Sequence, residues 1–248
     1  MLELAMIAGG AAAGGFVNGL AGFGTALFAL GFFLQIMPPV QAVSIVVVLS
    51  VAAGLPGIWV VRNTMMAHRG RLMRFLLPAL FGIPLGIMAL SYLEPRALKL
   101  VIGGFLLLYG GYFSLRRTLP NIERATPITD TMIGFSGGLL GGAASLSGAL
   151  PTMWCSMRDW PKAETRAVLQ PFNVVVLGLS ALLFAQRGAY TAESLYYIAV
   201  ALPATLLFAR LGIHVFHRLR DDQFRRLLIG LTFVSGAVLL LREAVALV

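Results

Sequence analysis

A chain of 248 residues that is 58% hydrophobic and only 12% charged cannot cover a solvated globular surface, because soluble domains carry about 25% charged residues. Its net charge of +9 comes from Lys and Arg lying between apolar runs, which excludes a nucleic-acid footprint and matches the loops that flank membrane spans. A lone cysteine, Cys155, excludes an internal disulfide and any multi-cysteine metal site.

Taken in chain order, the first long segment, 4–35, exceeds one simple span and carries a glycine-rich stretch, Gly14–Thr25, midway. Glu3 stands where a signal peptide would be basic, so no cleaved leader is expected. Helices are then predicted over 40–61, 75–93 and 97–115, the last reaching full length with Lys99 snorkelling to the interface. A second long glycine-rich segment covers 127–157, followed by helices over 167–186, 194–213 and 227–247. The six compact apolar runs hold 16 to 22 residues, and about 20 residues cross a bilayer core of about 30 Å.

The chain also repeats itself. Gly15-Phe16-x-x-Gly19-Leu20-x-Gly22 returns as Gly134-Phe135-x-x-Gly138-Leu139-x-Gly141, and Leu77-Pro78-Ala79 as Leu202-Pro203-Ala204. Leu85-Gly86-Ile87 matches Leu211-Gly212-Ile213 in the same order. Two halves follow, 1–118 and 119–248. Charge sets their orientation. If all eight segments cross, Lys and Arg divide nine to nine. If 127–157 enters and leaves on the cytoplasmic face, fourteen fall inside, Arg166 among them, against Arg96, Lys99, Arg187 and Arg242 outside. The positive-inside rule selects the second arrangement. The predicted fold is an all-α integral membrane protein of two inverted repeats, each a glycine-rich re-entrant hairpin plus three transmembrane helices, with both termini periplasmic.

Two readings fit the glycine segments. Gly15/Gly19 and Gly134/Gly138 are small-xxx-small pairs suited to close helix packing. A chain break at the same place would expose backbone N–H groups and half-helix dipoles able to hold an anion, and the charge count, which demands a reversal there, favours the break. The candidate substrate-binding residues are therefore Asn18, Gly19, Gly22, Thr25, Gly138, Gly141, Ser145 and Ser147, together with Gln170 and Asn173. Gln170 and Asn173 flank Pro171 within an apolar run, where a kink with capped polar groups and a place on a substrate path both remain open. Ser44 and Ser50 are weaker candidates, since a helix satisfies its own serines. Trp154 and Trp160 read as interface anchors and Arg210 as a snorkelling cation. His214 and His217 lack a third ligand. No catalytic set, metal site or cofactor fingerprint is present, so neither enzyme chemistry nor a cofactor is expected.

The duplicated glycine-rich opening, followed by Pro39-Val40-Gln41-Ala42, resembles the sulfite exporter TauE/SafE family of permeases over essentially the whole chain. The second copy departs from the pattern at Pro161-Lys162-Ala163-Glu164 and Gly141-Gly142-Ala143-Ala144-Ser145. The resemblance implies transport of sulfite, organosulfonates or related small anions across a bacterial inner membrane. The residues themselves suggest alternating access around an anion site built from neutral donors. The competing reading is a non-transporting membrane scaffold or assembly factor, which would keep the glycine seams and need no cavity. The expected partners are a small anion and the lipid bilayer, with no nucleic acid.

Overall fold

The computed structural model describes residues 2–33, 35–89, 95–115, 122, 126–144 and 146–245. Among them the chain forms ten α-helices and no strand. The first half holds α1 (Leu2–Ala21), α2 (Thr25–Phe33), α3 (Pro39–Ala67), α4 (Arg69–Ala89) and α5 (Pro95–Leu115). The second holds α6 (Pro127–Ala144), α7 (Ala149–Ser156), α8 (Lys162–Gln186), α9 (Ala192–Arg218) and α10 (Asp221–Val245). Residues 90–93 and 246–247 of the expected spans, with Arg116, Arg117 and Arg124 of the basic loop, lie outside the described residues.

Several helices outrun the apolar stretches that predicted them, and by most at the arginine-rich end. α3 continues through Arg62 to Ala67, α4 starts at Arg69, α8 at Lys162, and α10 at Asp221. Backbone hydrogen bonding does not stop where hydrophobicity does. Lys and Arg are good helix formers, and their stems cover apolar surface while their heads reach water.

Each long glycine segment is a helical hairpin with unequal arms. α1, at 20 residues, is about 30 Å long and α2 only about 13 Å. The turn needs glycine: Gly22 and Gly24 have φ of +88° and +97°, which side chains rarely tolerate. The arms run antiparallel, with Gly14 against Thr25 and Gly10 against Ala29. In the second hairpin Leu146 N–H donates to Leu140 O at 3.2 Å, and α7 folds back so that Gly137 faces Pro151.

The halves interlock. α1 packs on α9 and α6 on α4, while α3 pairs with α8 and α5 with α10. Exchanging the halves maps this set of pairings onto itself. In the first seam Gly15 and Gly19 abut the backbone of Thr205 and Ala209. In its counterpart Gly134, Gly138 and Gly142 abut that of Phe75, Ala79 and Ile83. Gly82 and Gly212 complete the seams from the other side, facing Phe135 and Phe16. Packing thus matches Gly212 with Gly82, about one helical turn from the Gly86 that the text match selects. α3 and α8 run antiparallel, with Gly54 beside Val174 and Gly57 beside Gln170 and Arg166.

Large apolar side chains such as Leu77, Phe81, Leu108, Leu182, Leu207 and Leu241 remain exposed. Surface of that kind is a liability in water and ordinary in a bilayer. Among the described residues four helices, Leu2–Ala21, Val40–Ala67, Lys162–Gln186 and Ala192–Arg218, are long and apolar enough to cross a membrane. Lipid supplies no hydrophobic drive between helices, so close approach through small residues has to supply dispersion contacts instead.

Candidate functional site

The two hairpin turns meet. Phe23, from the first, lies against Gly148 of the second, where a Cβ would come within 2.8 Å of it. Between them is a cavity of about 20 Å³ lined by Gly24, Thr25, Ala26, Ser50, Gly148, Ala149 and Asn173. It has room for about one water. α2 begins at Thr25 and α7 at Ala149, so both half-helices turn their N-terminal, positive ends toward this space, although in α7 Pro151 has no N–H and the Ala149 and Thr152 N–H groups donate to Leu146 O and Gly148 O.

A string of buried polar side chains leads away from it. Asn18 Nδ2 donates to Thr25 Oγ1 at 2.8 Å and to Ser50 O at 3.3 Å. Asn18 Oδ1 accepts from Gln170 Nε2 at 3.1 Å. Gln170 Oε1 in turn accepts from Arg166 Nε at 3.2 Å, and Arg166 Nη2 donates to Gly19 O at 2.6 Å. On the opposite wall Ser147 Oγ donates to Asn173 Oδ1 at 2.5 Å. Asn18, Gln170 and Arg166 are each 0% exposed. The spacing 166, 170, 173 puts all three α8 residues on one helix face.

Arg166 was not expected here. It is fully buried, its guanidinium lies 4.3 Å from the Phe216 ring centroid, and its Nη1 has no hydrogen-bond partner. Among the described residues no carboxylate pairs with it, unlike Arg158, whose Nη2 meets Asp130 Oδ1 at 2.9 Å. Space for the Arg166–Gln170 pair comes from Gly57 on α3, where a Cβ would stand 2.4 Å from Gln170 Oε1 and 2.9 Å from Arg166 Nη2. The neutral set of side chains expected from the sequence therefore has a cation next to it. The apolar segmentation cut α8 at Ala167 and left Arg166 with the loop charges. The i, i+4 spacing to Gln170 was the available signal.

The other expected site residues divide into two groups. Thr25 and Asn173 line the cavity, Asn18 and Ser147 bond to them, and Gly22 sits at the first turn against Gln170. Gly19 and Gly138 sit in the interhelical seams, and Gly141 faces Val176 and Ser147. Ser145 lies outside the described residues. Ser50, a weaker candidate, bonds its own helix at Val46 O and still lines the cavity.

The arginine-rich end is tied shut by charge. Arg71 meets Glu164 at 2.5 Å, with His68 Nε2 at 3.5 Å from the same carboxylate. Lys162 Nζ donates to Phe216 O, His217 O and Leu219 O at the end of α9. Trp154 and Trp160 take part in this layer. Trp154 Nε1 donates to Asp130 Oδ1 at 2.7 Å, and Arg71 stacks 4.1 Å over Trp160. Arg210, by contrast, is exposed.

A family model described as Sulfite exporter TauE/SafE matches residues 6–239. No curated protein matches the chain, and no solved structure does.

Proposed function

The chain belongs to the sulfite exporter TauE/SafE family and is a multi-pass membrane protein, and from that premise we propose that it is a secondary transporter of small anions. The substrate is sulfite, an organosulfonate or a related sulfur or carboxylate anion, carried across the bacterial inner membrane by alternating access of two inverted halves. The observation that carries this reading is the central cavity to which both halves contribute the start of a half-helix and neutral donors. Such a site gives an oxyanion N–H and O–H partners and keeps the interaction weak enough for release. At about 20 Å³ the cavity must open to admit a sulfite, as an occluded state of such a cycle would.

The antiparallel pairing of the equivalent helices α3 and α8 supports inversion, and the arginine-rich ends of α3, α4, α8, α9 and α10 support a cytoplasmic assignment for that side. Both termini then face the periplasm. Export follows the membrane field: with the inside negative, each unit of negative charge leaving gains about 2.3 kcal/mol per 100 mV. The test is efflux from proteoliposomes loaded in turn with sulfite, isethionate, sulfate and acetate, under an imposed potential. Faster release of at least one anion than from protein-free vesicles is expected. Equal leakage for the whole panel would remove the transport reading and leave a scaffold.

A further inference from the structure

The buried arginine has a use that the central cavity does not account for. Resting on the transport reading above, we propose that Arg166 is a second anion-binding station on the path, nearer the arginine-rich end, where the substrate's charge is met before the anion reaches the cavity. Three observations carry it. Arg166 is 0% exposed with no carboxylate partner among the described residues, whereas the similarly buried Arg158 holds Asp130. Its Nη1 is buried without a hydrogen-bond partner. Finally, the chain Arg166–Gln170–Asn18–Thr25 is continuous from the guanidinium to the cavity wall.

A purely structural role accounts for only part of this. Nη2 caps the carbonyl of Gly19 near the end of α1, and Phe216 offers its ring face. Both contacts suit a clamp between α8, α1 and α9. Neither neutralises a cation taken out of water, and neither engages Nη1. An uncompensated buried charge is strongly unfavourable. A small oxyanion supplies both missing parts, since its charge balances the guanidinium and its oxygens accept from a planar fork that binds such groups edge-on. Asn173, on the cavity wall, is about 10 Å further along α8 from Arg166. One anion could pass between the stations while the intervening amides of Gln170 and Asn18 turn with it.

The experiment uses the purified full-length protein with sodium sulfite as the probe, and isethionate in parallel. Thermal unfolding in detergent is followed against anion concentration, and efflux is measured from liposomes. Wild type should be stabilised progressively by at least one of the two anions. Arg166→Gln should lose the anion-dependent part of that stabilisation, whatever its melting temperature without anion, and slow efflux tenfold or more. Arg166→Lys keeps the charge without the fork, so it should respond to the anion with a half-saturation raised about tenfold. It also serves if Arg166→Gln does not fold. A half-saturation like wild type's in either variant would show a clamp and overturn the proposal while transport stands. If wild type responds to neither anion while it moves sulfate or acetate, the proposal is overturned and transport stands; if it moves none of the four anions, the transport reading fails and takes this proposal with it.

Discussion

Consider Gly138→Ala. The new Cβ would stand 2.2 Å from Ala79 O and 2.6 Å from Ala79 Cα, against 3.4 Å or more for ordinary contact. Both obstacles are backbone, so no side chain can swing aside, and α4 must retreat from α6 by about 1 Å. A gap of 0.5–1 Å forfeits about a quarter to a half of each contact's attraction, and one side chain's share is about 40–60 pairs of about 0.1–0.2 kcal/mol. The expected loss is about 1–6 kcal/mol, a range that includes the about 1–3 kcal/mol typical of overpacking. Gly178→Ala on α8 is the matched control. No atom lies within 4 Å of its Cβ position, so improved helix propensity should leave it neutral or up to about 1 kcal/mol more stable. Gly19→Ala, 2.0 Å from Ala209 O in the equivalent seam, should behave like Gly138→Ala. The assay is the fraction of each variant that remains monodisperse in detergent after heating. If Gly138→Ala melts with Gly178→Ala, the seam is not backbone-tight and the packing argument is wrong.

Other outcomes follow from the same contacts. Asn18→Ala strands the amide of Gln170 and removes the donor to Thr25. At about 1–3 kcal/mol per buried partner left unmet, anion efflux should fall about tenfold or more with membrane insertion preserved, and undiminished efflux would take Asn18 off the path. Ser147→Ala should act likewise through Asn173. Arg158→Ala leaves the buried Asp130 carboxylate without its cation, with the Trp154 Nε1–H still donating to it, and should cost about 3–5 kcal/mol. Arg71→Ala breaks a partly exposed pair, 27% and 22% exposed, and should cost about 0–1 kcal/mol, so equal melting temperatures for the two would contradict the burial difference. Arg210→Gln should leave the anion half-saturation unchanged. A reporter fused after Val248 should be active only outside the cytoplasm, and cytoplasmic activity would sink the inverted arrangement.

Composition and run length alone placed the chain in a bilayer, and its short motifs identified the family. These are signals of composition, run length and short-range text, and a bilayer reads them directly: about 20 apolar residues make a span, and loop arginines set its direction. The break was legible too, because a left-handed turn inside a long apolar segment calls for glycines such as Gly22 and Gly24. What the glycines of the helices do was not legible. Gly19 and Gly22 stand three residues apart in one motif, yet one meets the backbone of Ala209 and the other the side chain of Gln170. Only the placement of α9 and α8 separates a seam from a site. Tertiary structure also decided Arg166. A charge written next to Lys162 and Glu164 reads as surface, and becomes the buried end of a polar string only when α1, α3 and α9 close around the first turns of α8. Burial is a property of neighbours distant in the chain, here Gly19, Gly57 and Phe216, and no local spacing encodes it.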